Sequence, residues 1–296
     1  MKVFVVSKKT LIYALAASVL IIAAILAAVI AGSTDRSGSR KADEEEALIK
    51  QTLSDDITRK DAGNIGFQKV EEYEVEVMAG LMKELPVYSV QRNDKKIALT
   101  IDAAWQDDKT PFILETLKKY NIHATFFLCG FWVEAYPDMV RAIAADGHEI
   151  GNHSMTHPHM SKLSPEQITK ELDKFESVVE PLTGKKTVLF RAPFGEYNDT
   201  VIKALRNRGY EVIQWNIDTI DWKQERSAQT ILDSVLPKLS DGSIILCHNN
   251  GYKIEQYLPT LIEAALAQGY EFVTVSELLL NGETVIDVNG VQKPLE

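Results

Sequence analysis

Positive charge is scarce in this chain, and that scarcity is the first constraint on its role. Thirty-two Lys and Arg face 42 Asp and Glu, for a formal net charge of -10. Nucleic acid is held through clustered Lys and Arg on its phosphates, so no nucleic-acid partner is expected. A neutral or mixed-charge polymer such as a glycan stays open. Cysteine is rarer still, with Cys129 and Cys247 the only two. They form no metal-binding Cys pattern. In an exported chain they could join as a disulfide, but each falls in or just after an apolar run ("ATFFLC", "IILC") that equally suits a buried free thiol. No Gly-rich phosphate loop follows the first strand of the main domain, which removes the chief support for a dinucleotide-binding fold.

What the chain does have is room and apolar mass. Its 296 residues, 45% hydrophobic and 25% charged, suit one large domain or two ordinary ones. One segment departs from that average. Thr10 to Gly32 reads "TLIYALAASVLIIAAILAAVIAG", 23 residues without a charge, and about 20 suffice to cross a hydrocarbon core as a helix. Lys2, Lys8 and Lys9 precede it, so positive-inside bias keeps residues 1–9 cytoplasmic and exports the rest. The rival is a cleaved signal peptide, with Ala31 and Ser33 near a processing site, but such signals carry an apolar core of only about 7–15 residues. The expected layout is a cytoplasmic N-terminus (1–9), a transmembrane anchor (10–32), an extracytoplasmic tether with partial helix and strand (33–90), a catalytic domain (91–282) and a C-terminal tail (283–296). The location that follows is the cell membrane, single-pass, with the catalytic domain outside.

From Lys95 onward short β-rich runs alternate with amphipathic helices. "IALTID" leads into a helix that Thr110 can cap, with Pro111 in its first turn. "ATFFLC", "HEIGNH", "TVLFRAP", "YEVIQWNID", "SIILCH" and "EFVTVSELL" read as further strands. The helix over "SPEQITKELDKFESVVEPLTG" opens on Ser164 and Gln167 in capping-box spacing and shows Ile168, Leu172, Phe175 and Val179 on one face. About seven units of apolar strand and helix mean parallel strands covered by helices. A distorted, TIM-like (β/α)7 barrel is the expectation.

The polar residues fall where such a barrel would use them. Asp102 ends the first strand, His153 and His157 follow the third, and Arg191 ends the fourth. Asp218 and Asp221 follow the fifth, and His248 ends the sixth. Parallel β/α barrels open all strand C-termini on one face, so these groups converge there. "HSMTH" offers two imidazoles at i, i+4, which a helical turn or compact loop can aim at one cation. Alternatively one of them only hydrogen-bonds locally; His159 nearby is a further donor, and His148 precedes its strand and faces away. Two or three protein ligands with open positions is a catalytic metal arrangement. Asp102 then suits a base, His248 an acid, Arg191 a group that keeps Asp102 ionised, Asp221 a partner that keeps His248 protonated, and Trp222 an apolar wall. Taken alone, Asp218 and Asp221 suit helix capping equally well.

"LTID", "HSMTH", "RAPFG", "DTIDW" and "IILCH" stand in the order and approximate spacing of the five motifs of the polysaccharide deacetylase (NodB-homology) family, the family four carbohydrate esterases, which the chain resembles from about Lys95 to Leu280. The resemblance implies a distorted seven-stranded β/α barrel and hydrolysis of N-acetyl groups from an N-acetylhexosamine polymer with one divalent metal, often zinc. By motif, Asp102 resembles the base, His153 and His157 the metal ligands, and Arg191 the group orienting the base. Phe194 resembles the residue whose backbone N–H stabilises the oxyanion. Asp221 and His248 resemble the tuning partner and the acid, and Trp222 and Leu246 the walls of the acetyl pocket. One position departs: a second aspartate, a metal ligand, is usual where this chain has Ala103. Water, or Asp107 or Asp108 reaching back, would have to complete the shell. The "DAAW" form resembles membrane-anchored or sporulation-associated deacetylases of Gram-positive bacteria.

The expected function is therefore metal-dependent deacetylation of a cell-envelope glycan, with peptidoglycan foremost. The partners are the glycan and, through the N-terminal helix, the membrane; nothing points to a protein partner. One alternative is a non-catalytic glycan-binding or morphogenetic protein that kept the barrel. Another is a glycoside hydrolase with a carboxylate pair such as Asp102 and Asp218, which leaves "HSMTH" and His248 without roles.

Overall fold

The structure, a computed structural model, describes residues 84–295. The N-terminus, the anchor over 10–32 and the tether up to residue 83 lie outside the described residues. Among those described, no helix is long and apolar enough to cross a membrane.

In chain order the elements are β1 (Ser89–Val90), β2 (Lys96–Ala103), α1 (Thr110–Lys119), β3 (Thr125–Leu128), α2 (Gly130–Ala135), α3 (Pro137–Ala145), β4 (Glu149–Asn152), α4 (Pro165–Thr183), β5 (Leu189–Phe190) and α5 (Asp199–Arg206). They continue through β6 (Glu211–Val212), β7 (Ile217–Asp218), α6 (Ala228–Val235), β8 (Ile244–His248), α7 (Ile254–Ala267), β9 (Glu271–Val273), α8 (Val275–Leu278), β10 (Thr284–Ile286) and β11 (Val291–Pro294). The main sheet runs β6-β5-β4-β3-β2-β8-β7, with β9 added along the start of β2. Every pairing in it is parallel. β2 lies at the centre with all but its first residue buried, as its unbroken apolar run requires.

The sheet is a curled, parallel half-barrel of the β/α kind expected from the sequence, and its hydrogen bonding does not close into a ring. "YEVIQWNID" is not one strand: it splits into β6 and β7, at opposite edges. Only residues 213–216 join them, and five Cα steps reach at most about 18 Å. A flat sheet of seven strands would hold its edges roughly 29 Å apart, at about 4.8 Å per strand. The short link therefore forces the sheet to roll up. The segment Val87–Val90 runs across the residual gap: Val87 N–H donates to Val212 O (2.8 Å) and its carbonyl accepts from Gln214 N–H (2.7 Å) at the end of β6, while Val90 N–H donates to Gly242 O (3.0 Å) just before β8. That segment, assigned above to the tether, is part of this fold. The expected tail over 283–296 contains β10 and β11, an antiparallel pair whose second strand runs beside β1.

Helix signals hold closely. Ser164 and Gln167 form the reciprocal capping box of α4, whose buried residues are Ile168, Leu172, Phe175 and Val179. Thr110 does not cap α1: the N-cap is Lys109, and Thr110 lies buried inside the first turn. Its hydroxyl instead accepts a long bond from Asn249 Nδ2 (3.4 Å). Cys129 and Cys247 are both free and buried, so no disulfide forms.

Candidate active site

Asp102 leaves β2 where the strand is still buried, and Arg191 follows β5. Arg191 has no exposed surface. Its Nη1 donates to Asp102 Oδ1 at 2.7 Å and to Thr100 Oγ1 at 2.8 Å, and Nη2 donates to Gln214 O at 3.0 Å. The guanidinium carbon stands 4.1 Å from the Phe127 ring centre. Burial alone would raise the Asp102 carboxyl, but the charge and hydrogen bond of Arg191, with the charge of His248 behind them, hold it below the ordinary carboxylate value. Asp102 is thereby kept as a carboxylate with one oxygen committed to Arg191. Its Oδ2 faces His153 Nε2 at 3.7 Å.

"HSMTH" is a compact loop after β4, not a helical turn. Ser154 and His157 take φ of +67° and +56°. The Asn152 side chain accepts from Ser154 N–H (2.8 Å), and Ser154 Oγ accepts from His157 N–H (2.9 Å). Glu171 on α4 accepts from the N–H groups of Met155 and Thr156 and from the Thr156 hydroxyl. The two imidazoles end with centres 5.0 Å apart. Burial lowers the pKa of both, that of His157 to about 4, so both are neutral with a lone pair to offer. His153 Nδ1 lies 2.8 Å from Arg191 O. A carbonyl only accepts, so Nδ1 carries the proton and Nε2 is the free donor atom.

Among the described residues one group of three side chains could hold a metal ion: Cys129, His153 and His157, with donor atoms all within 4.8 Å of one another. Asp107 and Asp108 are outside it, so neither carboxylate reaches back to replace the ligand absent at Ala103. His159 is turned away, paired with Glu196 at 2.8 Å. His148 sits at the start of β4, with burial lowering its pKa to about 4.

The other flank is built on β8. Asp102 and His248 are register partners across β2 and β8, which places them about 4.8 Å apart along the sheet. His248 Nδ1 bonds Asp221 Oδ1 at 2.7 Å, and Asp221 Oδ2 accepts from His248 N–H (3.0 Å) and the Tyr257 hydroxyl (2.6 Å). Burial alone would lower the His248 imidazole, but the Asp221 hydrogen bond and charge, with Asp102 and Asp218 behind it, raise it. Asp221 is fully buried; a Cβ at position 251 would collide with its Oδ2, so only glycine fits there. Asp218 is not a helix cap: its Oδ1 accepts from Ile220 N–H two residues on (2.7 Å). Leu246 is buried on β8, while Phe194 and Trp222 are about half exposed.

Backbone strain concentrates at this mouth. Of seven non-glycine residues with positive φ among those described, Gln106, Ser154, His157, Phe194 and Ile220 lie in loops beyond the C-terminal ends of strands. A β-branched or bulky residue there is an outlier that the surroundings must hold. Phe194, at φ 60°, stacks its ring on His159 and meets His157 edge-on.

Every site residue expected from the sequence stands at this end of the sheet. Sequence reasoning missed Cys129, Tyr257, Thr100 and Glu171. Cys129 alone carried a usable signal, since it follows β3 as Asp102 ends β2.

The polysaccharide deacetylase family profile matches residues 89–213. A peptidoglycan-N-acetylglucosamine deacetylase of Bacillus cereus is 36% identical over 197 residues, 65% of this chain and 92% of the relative. This chain belongs to the polysaccharide deacetylase family. A second relative in that family, the peptidoglycan-N-acetylmuramic acid deacetylase PdaC of Bacillus subtilis, is 34% identical over 79% of this chain, which spans only 50% of PdaC. Among solved structures, a CE4 family pseudoenzyme from Bacillus anthracis matches with 36% identity and a TM-score of 0.63, covering 66% of this chain and 68% of its own. A mutant of that pseudoenzyme is described as having restored enzymatic activity.

Proposed function

We propose that this chain hydrolyses N-acetyl groups of an N-acetylhexosamine polymer of the cell envelope, peptidoglycan foremost. The observation that carries the reading is the pair Asp102 and His248. They are register neighbours on β2 and β8, and their surroundings push one toward the carboxylate and the other toward the imidazolium. The curled sheet is read as the family's distorted seven-unit barrel.

Deacetylation adds water across the amide C–N bond and yields acetate and a free amine. Asp102, its Oδ1 fixed by Arg191, takes a proton from the attacking water through Oδ2. The water oxygen bonds to the acetyl carbon. His248 gives its proton to the nitrogen as the C–N bond breaks, and Asp221 holds the imidazole ready for that transfer. The Phe194 N–H serves the developing oxyanion, and Trp222 and Leu246 wall the acetyl methyl. His153 and His157 would hold a divalent cation, whose chemistry there is to polarise the acetyl carbonyl and make water more acidic. The apolar run over 10–32 is proposed as an uncleaved membrane anchor that leaves the domain extracytoplasmic. Recovery of the full-length chain only in soluble fractions would sink that part.

The experiment is acetate release from chitooligosaccharides and peptidoglycan fragments, with and without chelator and added metals. Release that Asp102→Asn abolishes is the expected result. Ala103 and the likeness to a pseudoenzyme favour one second reading, a glycan-binding protein that retains the barrel. Glycan binding with no acetate released under any metal condition would establish it.

A further inference from the structure

We propose that Cys129 is a metal ligand, its thiolate sulfur joining His153 and His157 in a Cys–His–His site. The proposal deepens the reading of this mouth as a hydrolytic metal site and rests on it.

Three placements bring the sulfur there. Cys129 directly follows β3, and its N–H donates to Ala103 O at 2.9 Å, which sets it beside the end of β2. Its Sγ points to the histidine loop, with only the carbonyl of His153 as a partner, at 3.3 Å. That loop is clamped onto the same turn, since Gly130 N–H donates to Ser154 O (2.9 Å) and Phe131 N–H to Met155 O (3.1 Å). Met155 occupies the space a Cβ of Gly130 would need, so the glycine permits this approach.

The distances suit a small tetrahedral cation. With metal–sulfur bonds of about 2.3 Å and metal–nitrogen bonds of about 2.0–2.1 Å, donors stand roughly 3.3–3.6 Å apart. The three donors here lie within 4.8 Å of one another, so closure by up to roughly 1.2–1.5 Å completes the site. The bond from His153 Nδ1 to Arg191 O is the kind of outer contact that aims a ligating imidazole. Cys247 is the internal contrast, since it is equally buried and free but stands outside the donor group. On binding, the thiol proton passes to solvent and sulfur donates as thiolate. A soft sulfur donor selects zinc or cobalt(II) over magnesium, calcium or manganese.

The test reads the metal–sulfur bond rather than turnover. The full-length chain, kept reduced, is loaded with cobalt(II) for absorption spectroscopy and with zinc for X-ray absorption. The expected result is a sulfur-to-cobalt charge-transfer band that vanishes in Cys129→Ser and persists in Cys247→Ser. One zinc–sulfur distance near 2.3 Å and zinc affinity roughly tenfold or more weaker in Cys129→Ser would accompany it. If Cys129→Ser does not fold, a zinc–sulfur distance that persists in Cys247→Ser decides alone. Metal bound through nitrogen and oxygen only, or no binding of either metal, overturns the thiolate ligand. Acetate release separates the two readings: a sulfur-ligated chain that never releases acetate overturns the deacetylase reading and leaves the ligand standing.

Discussion

The two flanks of the mouth handle burial in opposite ways. On the β2–β5 flank, Asp102 is nearly sealed and meets a cation that is wholly sealed, so its charge is fixed by the Arg191 pair. On the β7–β8 flank, the sealed partner is the carboxylate of Asp221, and the imidazole of His248 keeps about a quarter of its side chain open. One flank hides a cation behind a carboxylate; the other hides a carboxylate behind an imidazole. Burial alone would disfavour either ion, and in both cases a buried partner overrides it. On each flank the more open group stands in front, and the sealed group that sets its charge sits behind.

Breaking the first flank has the larger effect. Asp102→Asn keeps the shape but removes the proton acceptor, and acetate release falls by about 10²–10⁴. It also leaves the Arg191 charge buried without a counter-ion, which costs up to about 3–5 kcal/mol, read as a lower denaturation midpoint. Because the folded carboxyl is held below its unfolded value, its contribution to stability is present above the unfolded pKa. It is lost as pH falls through the folded one, so the stability gap to Asp102→Asn narrows in acid.

Breaking the second flank mainly moves a pH limb. Asp221→Asn removes the charge that raises His248, so the alkaline limb of acetate release shifts toward lower pH, with a loss of roughly tenfold or more at neutral pH. His248 is raised in the fold, so its stabilisation is complete below about pH 6.5. It fades as pH rises through the folded value. An unchanged alkaline limb in Asp221→Asn would mean that His248 is not the acid.

Both flanks were legible in the sequence because strand C-termini of a parallel sheet share one face, and Asp102, Arg191 and His248 each mark one. The closing of the sheet was not legible. "YEVIQWNID" reads as one strand by pattern, and only the three-dimensional path shows it crossing from β6 to β7. Cys129 follows the apolar run "ATFFL", which suits a buried free thiol as well as a disulfide, and Tyr257 lies on the apolar face of α7 with no local sign of its partner. Nothing local shows that the histidine loop comes down onto Glu171. A side chain recruited by a distant loop leaves no periodic trace in its own segment.

The contact supplied by Tyr257 is the smallest handle on the comparison. Its hydroxyl gives 2.6 Å to Asp221 Oδ2, the oxygen that also takes His248 N–H, while Oδ1 serves the ring. Tyr257→Phe removes one donor from a sealed carboxylate, costing about 1 kcal/mol of stability. With one competitor gone, Asp221 acts more strongly on the imidazolium. The alkaline limb therefore moves slightly to higher pH, opposite to Asp221→Asn, while acetate release at neutral pH changes only a few-fold. The same variant should leave metal affinity unchanged, because Tyr257 Oη bonds the Asp221 carboxylate and none of Cys129, His153 and His157. If it weakened metal binding instead, the flanks would be coupled through the core and not independent across it.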